Sequence, residues 1–180
     1  MGKEMKLQVY FILVGLFNLL YAIAFPFIIR RFLLNITGSK IGKGSGIQRV
    51  RFFSFGKLVV GQNTIINSGC YLDNRRGITI GNNVVIAHDT KIYTLGHDIN
   101  DAAFKTKGAG VVIEDFAIVF SNVLIMPGVT IKKGAVILPG SVVTKDVGEM
   151  VVAGGNPAKP VRQRQGLHTE KGRFRYWFSI

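Results

Sequence analysis

The side chain best suited to move a proton in this 180-residue chain is His97. Imidazole is neutral near pH 7 and can take a proton from a hydroxyl within hydrogen-bond reach. His97 stands directly before Asp98-Ile99-Asn100-Asp101-Ala102-Ala103-Phe104-Lys105-Thr106-Lys107-Gly108, the longest interruption of an otherwise regular pattern. His88 has no such loop beside it and reads as a solvated corner histidine, while His168 falls in the C-terminal stretch. The single cysteine, Cys70, excludes an intrachain disulfide and fits a reducing compartment. Its place in the pattern makes it a core residue rather than a nucleophile.

The pattern that must position His97 is a sixfold ladder. An aliphatic residue returns at Val60, Ile66, Leu72, then Ile80, Ile86, Ile92, then Ile113, Val119, Ile125, Ile131, Ile137 and Val143. Four residues after each stands something small or β-branched, Cys70, Val84 and Ala117 among them, with Arg76 the exception beside a break. Such a period fits neither a helix at about 3.6 residues per turn nor a strand whose side chains alternate. It fits a chain that turns a corner every six residues, three sides closing a triangular coil of about 18 residues. Coils about 4.8 Å apart would build a parallel prism about 25 Å long from about five turns. Gly81-Asn82-Asn83 and Pro127-Gly128 suit corners that need positive φ. Gly96 takes an inward slot, so His97 sits at a corner facing out. The small break at Gly77-Ile78 reads as a bulged corner, and the large one from Asp98 to Val112 as a protruding loop.

With these features the chain resembles the hexapeptide-repeat acyltransferases, over roughly Ile41 to Arg162. Besides the ladder, the stretches that carry the likeness are Ile80-Gly81-Asn82-Asn83-Val84-Val85-Ile86-Ala87, Ile92-Tyr93-Thr94-Leu95-Gly96-His97, Pro139-Gly140-Ser141-Val142-Val143-Thr144-Lys145-Asp146 and Gly154-Gly155-Asn156-Pro157-Ala158-Lys159-Pro160-Val161-Arg162. The branch it is most similar to holds the galactoside, maltose and Nod-factor acetyltransferases and the O-acetyltransferases of surface-polysaccharide synthesis. The resemblance implies an all-β fold, a left-handed parallel β-helix. It also implies a homotrimer with active sites between subunits, so that a monomer would be inactive and the His loop of one chain would meet the cofactor groove of the next. The donor would be acetyl-CoA, with no metal. By the same resemblance His97 is the general base, the backbone N–H of Ser121 is the oxyanion donor, and Asn67 helps hold the acceptor. Thr144, Lys145, Lys159 and Arg162 fall where the family binds coenzyme A.

Two departures touch the site. Where many members carry a Trp and, two residues later, a Gly just before the oxyanion serine, this chain has Ile118 and Phe120. The loop after His97 is also shorter than in the small-sugar enzymes, which suits a long or lipid-linked saccharide. The expected activity is therefore O-acetylation of a sugar hydroxyl in a surface polysaccharide or lipid-linked saccharide. N-acetylation of an amino sugar, or acetylation of a small antibiotic, is the alternative. A metal-dependent hydratase of the carbonic anhydrase type would need three converging histidines. A membrane-docked scaffold without activity would have no need of His97, its loop or Arg162.

The N-terminal region differs from the ladder. From Leu7 to Ile29 there are 23 consecutive uncharged residues, between Lys3 and Lys6 on one side and Arg30 and Arg31 on the other. About 20 apolar residues suffice to span a bilayer as a helix. Gln8, Gly15, Asn18 and Ala22 share one narrow face that could pack on another helix, and Pro26 kinks or ends the segment. Ala22-Ile23-Ala24 also resembles a signal-peptidase site, but acetyl-CoA is a cytosolic donor. We therefore expect a membrane-inserted or membrane-lying helix that keeps the prism on the cytoplasmic face of the inner (plasma) membrane. A triangular coil has no room for such a helix inside it. The chain then divides into a membrane-associating segment, 1–40, the β-helix, 41–162, and a basic aromatic tail, 163–180. Net charge is +13 with only 18% charged residues. No nucleic-acid-binding motif accompanies that charge, so coenzyme A and anionic lipid are the partners it suits. The tail run Arg173-Phe174-Arg175-Tyr176-Trp177-Phe178 mixes cations with aromatics that favour a membrane interface.

Overall fold

The computed structural model describes residues 2–24 and 27–167. Pro26, His168 and the Arg173–Phe178 run lie outside the described residues. Five triangular coils, each of three short strands, stack along one axis. They are β1 (Lys40–Ile41), β2 (Gly46–Ile47) and β3 (Arg51–Phe52); β4 (Leu58–Val60), β5 (Ile65–Ile66) and β6 (Tyr71–Leu72); and β7 (Ile78–Ile80), β8 (Val85–Ile86) and β9 (Lys91–Ile92). A hairpin of β10 (Gly96–His97) and β11 (Thr106–Lys107) interrupts the third coil. The last two coils are β12 (Val111–Ile113), β13 (Ile118–Val119) and β14 (Leu124–Ile125), then β15 (Thr130–Ile131), β16 (Val136–Ile137) and β17 (Val142–Val143). A partial sixth turn follows, with a Val147 bridge to Ile131 and β18 (Val151–Gly154), against which β19 (Lys159–Gln163) folds back antiparallel.

Equivalent sides pair in parallel and form the three faces of the prism: β1-β4-β7-β12-β15, β2-β5-β8-β13-β16-β18 with β19 outermost, and β3-β6-β9-β14-β17. All twelve ladder residues are inside, at 2% exposure or less. The small slots, Thr64, Cys70, Thr90 and Ser141 among them, are buried too, and Gly96 is half-buried where the hairpin leaves. The corners have their own rule. Three residues after an aliphatic slot the chain takes a left-handed conformation at Asn63, Gly69, Asn83, Asp89, Asn122, Gly128, Gly134 and Gly140. Successive corners also touch, for a Cβ on Gly61 would lie 2.6 Å from the Gly81 carbonyl.

The coils begin earlier than the ladder suggests, because Ile41, Ile47 and Phe52 line a first turn with uneven spacing. The N-terminal region also departs from the expected single helix. The apolar run is shared by α1 (Lys3–Ile23) and α2 (Phe27–Ile36), both laid across the open end of the prism. The prism has no room inside it, but its end can be covered. A solenoid end leaves strand groups unpaired, and each edge strand here receives a side chain from a helix. Asn18 bonds both the N–H and the C=O of Phe52 at 2.8 Å, standing in for a next strand. The Tyr21 hydroxyl donates to Ile47 O, and Arg31 donates to Ile41 O and Gly42 O. Phe17 and Tyr21 join the core cluster over Phe52. On the face of Gln8, Gly15, Asn18 and Ala22, Asn18 meets the first coil, while Gln8 and Gly15 are exposed.

Candidate active site

His97 lies at the start of the hairpin, paired with Thr106 and exposed. Its Nδ1 is 2.7 Å from the Phe104 carbonyl oxygen. A carbonyl can only accept, so Nδ1 carries the hydrogen and the neutral ring presents its lone pair at Nε2. The imidazole also stacks flat on the Phe104 ring, 4.3 Å between centroids and 4° between planes. Two contacts therefore fix the ring's tilt and its tautomer.

The loop that supplies Phe104 is tied to itself. Asp98 N–H donates to Lys105 O, Asp101 N–H to Asp98 O and Phe104 N–H to Asp101 O. The Asp98 carboxylate pairs with Lys107 at 2.8 Å, which together with the Asn100 N–H holds it below the usual aspartate range.

Sequence reasoning missed one residue beneath this hairpin. Arg75 forks onto both oxygens of the buried Asp73 at 2.8 Å, stacks 3.9 Å above the Phe53 ring and reaches Leu95 O. Thr94, by donating to Asp73 O and accepting from Arg76 N–H, ties the same turn to the root of the hairpin. The signal was Asp73-x-Arg75 inside the smaller break, where the arginine otherwise reads only as part of a basic pair.

Asn67 and Ser121 lie on a different edge of the prism. The ladder register aligns Ile66, Ile86, Val119 and Ile137, so Asn67, Ala87, Phe120 and Leu138 form one column of that corner. Ser68, His88, Ser121 and Pro139 form the next. Asn67 Oδ1 accepts from Gln48 Nε2 at 3.1 Å, which holds the amide in place. No hydrogen bond among the described residues uses the Ser121 N–H, while its carbonyl accepts from Gly140. Phe120 is 42% exposed beside it, and exposed His88 falls in the Ser121 column.

Thr144 and Lys145 follow β17 on the edge that also carries His97, since Ile92, Ile125 and Val143 are in register. The turn through Asn156 and Pro157 returns to that last coil, Ala158 N–H donating to Val142 O, and brings Lys159 to it. Arg162 pairs with Val152 on β19, an entirely exposed strand. All four are exposed. The structure thus places His97 and Asn67 on separate corners of one chain, and Ser121 on the corner of Asn67. Among the described residues no three His, Cys, Asp or Glu side chains converge as a metal site would need.

A triangular parallel coil is the architecture of the hexapeptide-repeat acetyltransferases. The solved structures that match it confirm the class. A hexapeptide-repeat acetyltransferase from Vibrio cholerae, complexed with acetyl coenzyme A, superposes with a TM-score of 0.81 at 27% identity, covering 92% of this chain and 93% of that one. A maltose O-acetyltransferase from Clostridium difficile does so with the same TM-score at 30% identity, over 89% of both. The coil is the left-handed β-helix of these enzymes. In sequence, the inferred colanic acid biosynthesis acetyltransferase WcaF of Escherichia coli K12 is 34% identical over 136 residues, 75% of each chain. The chain belongs to the hexapeptide-repeat acetyltransferase family. No family model matches it. It spans 51% and 56% of the length of two curated relatives from yeasts.

Proposed function

We propose that this protein is an acetyl-CoA-dependent O-acetyltransferase of a sugar hydroxyl in a surface polysaccharide or lipid-linked saccharide. The acceptor hydroxyl gives its proton to Nε2 of His97 as its oxygen bonds to the thioester carbonyl carbon. The tetrahedral oxyanion takes the Ser121 N–H. Collapse breaks the C–S bond, and the imidazolium returns the proton to the sulfur, leaving an acetyl ester and free coenzyme A. Asn67 orients the acceptor, and Thr144, Lys145, Lys159 and Arg162 hold the anionic coenzyme. The observation that carries this reading is the Nδ1 bond of His97 to Phe104 O, which leaves the base lone pair free on an exposed edge.

Separation of His97 from Asn67 and Ser121 on one chain supports a homotrimer whose clefts take residues from two subunits. The cytosolic origin of the donor and the apolar N-terminal run support a location on the cytoplasmic face of the plasma membrane. The saccharide acceptor is supported by the colanic acid relative. Thiol release from acetyl-CoA, measured on the full chain with candidate glycans, tests the chemistry. His97→Ala should lower kcat at least about a hundredfold, the scale of a lost general base; equal release by variant and wild type sinks the assignment.

A further inference from the structure

We propose that α1 and α2 lie flat in the headgroup layer of an anionic bilayer, with their outer apolar faces toward the acyl chains and the exposed Lys40, Lys43 and Arg49 of the first coil facing lipid phosphate. This rests on the membrane location given above and adds its geometry and its lipid. α2 buries Leu34 (1% exposed) and Arg30 (7%) on its inner face and still leaves Ile28, Phe32 and Ile36 62–71% exposed. A helix on a soluble core presents a polar outer face instead. On α1, Met5, Ile12, Leu16, Leu19 and Ile23 recur at helical spacing on one face and are 51–69% exposed. The inner faces of both helices touch the edge strands, so the outer faces look away from the prism end.

Crossing the bilayer is excluded by what α1 holds on its inner face. Tyr10 bonds Ser54, Asn18 bonds Phe52 and Tyr21 bonds Ile47, tethers spread over about 16 Å of helix at 1.5 Å per residue. A spanning helix would lose all three bonds and carry its polar groups into hydrocarbon that cannot satisfy them. An interfacial helix keeps them and sinks only its outer face, about 5–10 Å.

Charge selects the lipid. Arg49 is exposed on the first coil, and no ion pair among the described residues involves it, Lys40 or Lys43. Lys40 and Lys43 are exposed on the first coil, next to this end. A phosphodiester would supply the negative charge that these exposed cations lack.

Flotation of the full chain with vesicles of phosphatidylcholine, alone or mixed with phosphatidylglycerol, tests this. The protein should float with the mixed vesicles, and Arg49→Gln should bind them about fivefold more weakly, the equivalent of about 1 kcal/mol per surface cation. Ile12→Glu with Phe32→Glu should abolish flotation while leaving thermal unfolding and oligomeric mass unchanged. Probes on Met5→Cys, Ile12→Cys, Leu19→Cys and Ile23→Cys should report one shallow depth against depth-specific quenching lipids; a depth maximum in mid-helix overturns the flat geometry. Failure of the wild type to float on either vesicle overturns the membrane location itself. A change of oligomeric mass in the double Glu variant would show that a second copy of the chain covers the stripe.

Discussion

The proposed proton acceptor, His97, sits on an exposed corner, and both groups that orient its imidazole come from Phe104, its carbonyl and its ring. Arg75 bonds Asp73 and Leu95 O at the root of the hairpin, and we expect it to act as a positioning residue through them. Arg75→Ala leaves Asp73, 1% exposed, without its counter-charge. A fully buried pair broken this way costs about 3–5 kcal/mol, and the partial exposure of Arg75 lowers that to about 2 kcal/mol. Chemical denaturation should read that loss. In thiol-release kinetics kcat should fall while KM for acetyl-CoA stays near wild type, and Arg75→Lys, lacking the fork, should not restore it. An unchanged kcat would reduce Arg75 to a structural role. Cys70 is a contrasting case. Burial pushes its thiol up to about 12, so it remains protonated at pH 8, and a thiol reagent should label it only on unfolding.

The helices and the hairpin are the elements that break the repeat. α1 and α2 are end caps as well as an apolar surface, because Asn18, Tyr21 and Arg31 complete the edges of β3, β2 and β1. Removing residues 2–36 should therefore give an aggregating chain, not a soluble trimer. Sedimentation of the truncated protein checks this, and a monodisperse product with intact thermal unfolding would show that the coils close without caps. At the other end, Arg164 donates to Phe116 O and Gly134 O, which draws the segment after β19 over the last full coils.

For the whole molecule, the separation of corners matters most. One prism carries His97 on the edge between its third and first faces, and Asn67 with Ser121 on the edge between its second and third. If a cleft takes these residues from two chains, inactive variants can complement each other. Mixing equal amounts of His97→Ala and Asn67→Ala chains, with subunit exchange, should restore about a quarter of wild-type activity, the chance that both halves of a cleft are intact. No recovery would mean that both residues serve the same chain's site.

The ladder was legible because burial in a triangular coil is periodic in sequence: every side repeats the same inward slot, and a chain of aliphatic residues at sixfold spacing has few other ways to hide them. For the same reason the phase puts Cys70 inside and His97 outside, where the structure has them. The first coil lies outside the sixfold ladder because Ile47, Phe52 and Val60 are spaced five and eight apart, and only the resemblance from Ile41 onward includes it. The apolar run announced an unusual surface, yet its division between two helices across the prism end was decided by unpaired strand edges, which have no sequence period. The tautomer of His97 and the reach of Arg75 to Leu95 O at the root of its hairpin belong to the tertiary structure alone. Each joins residues through a backbone carbonyl or a turn, and such groups are identical in every residue until folding places them.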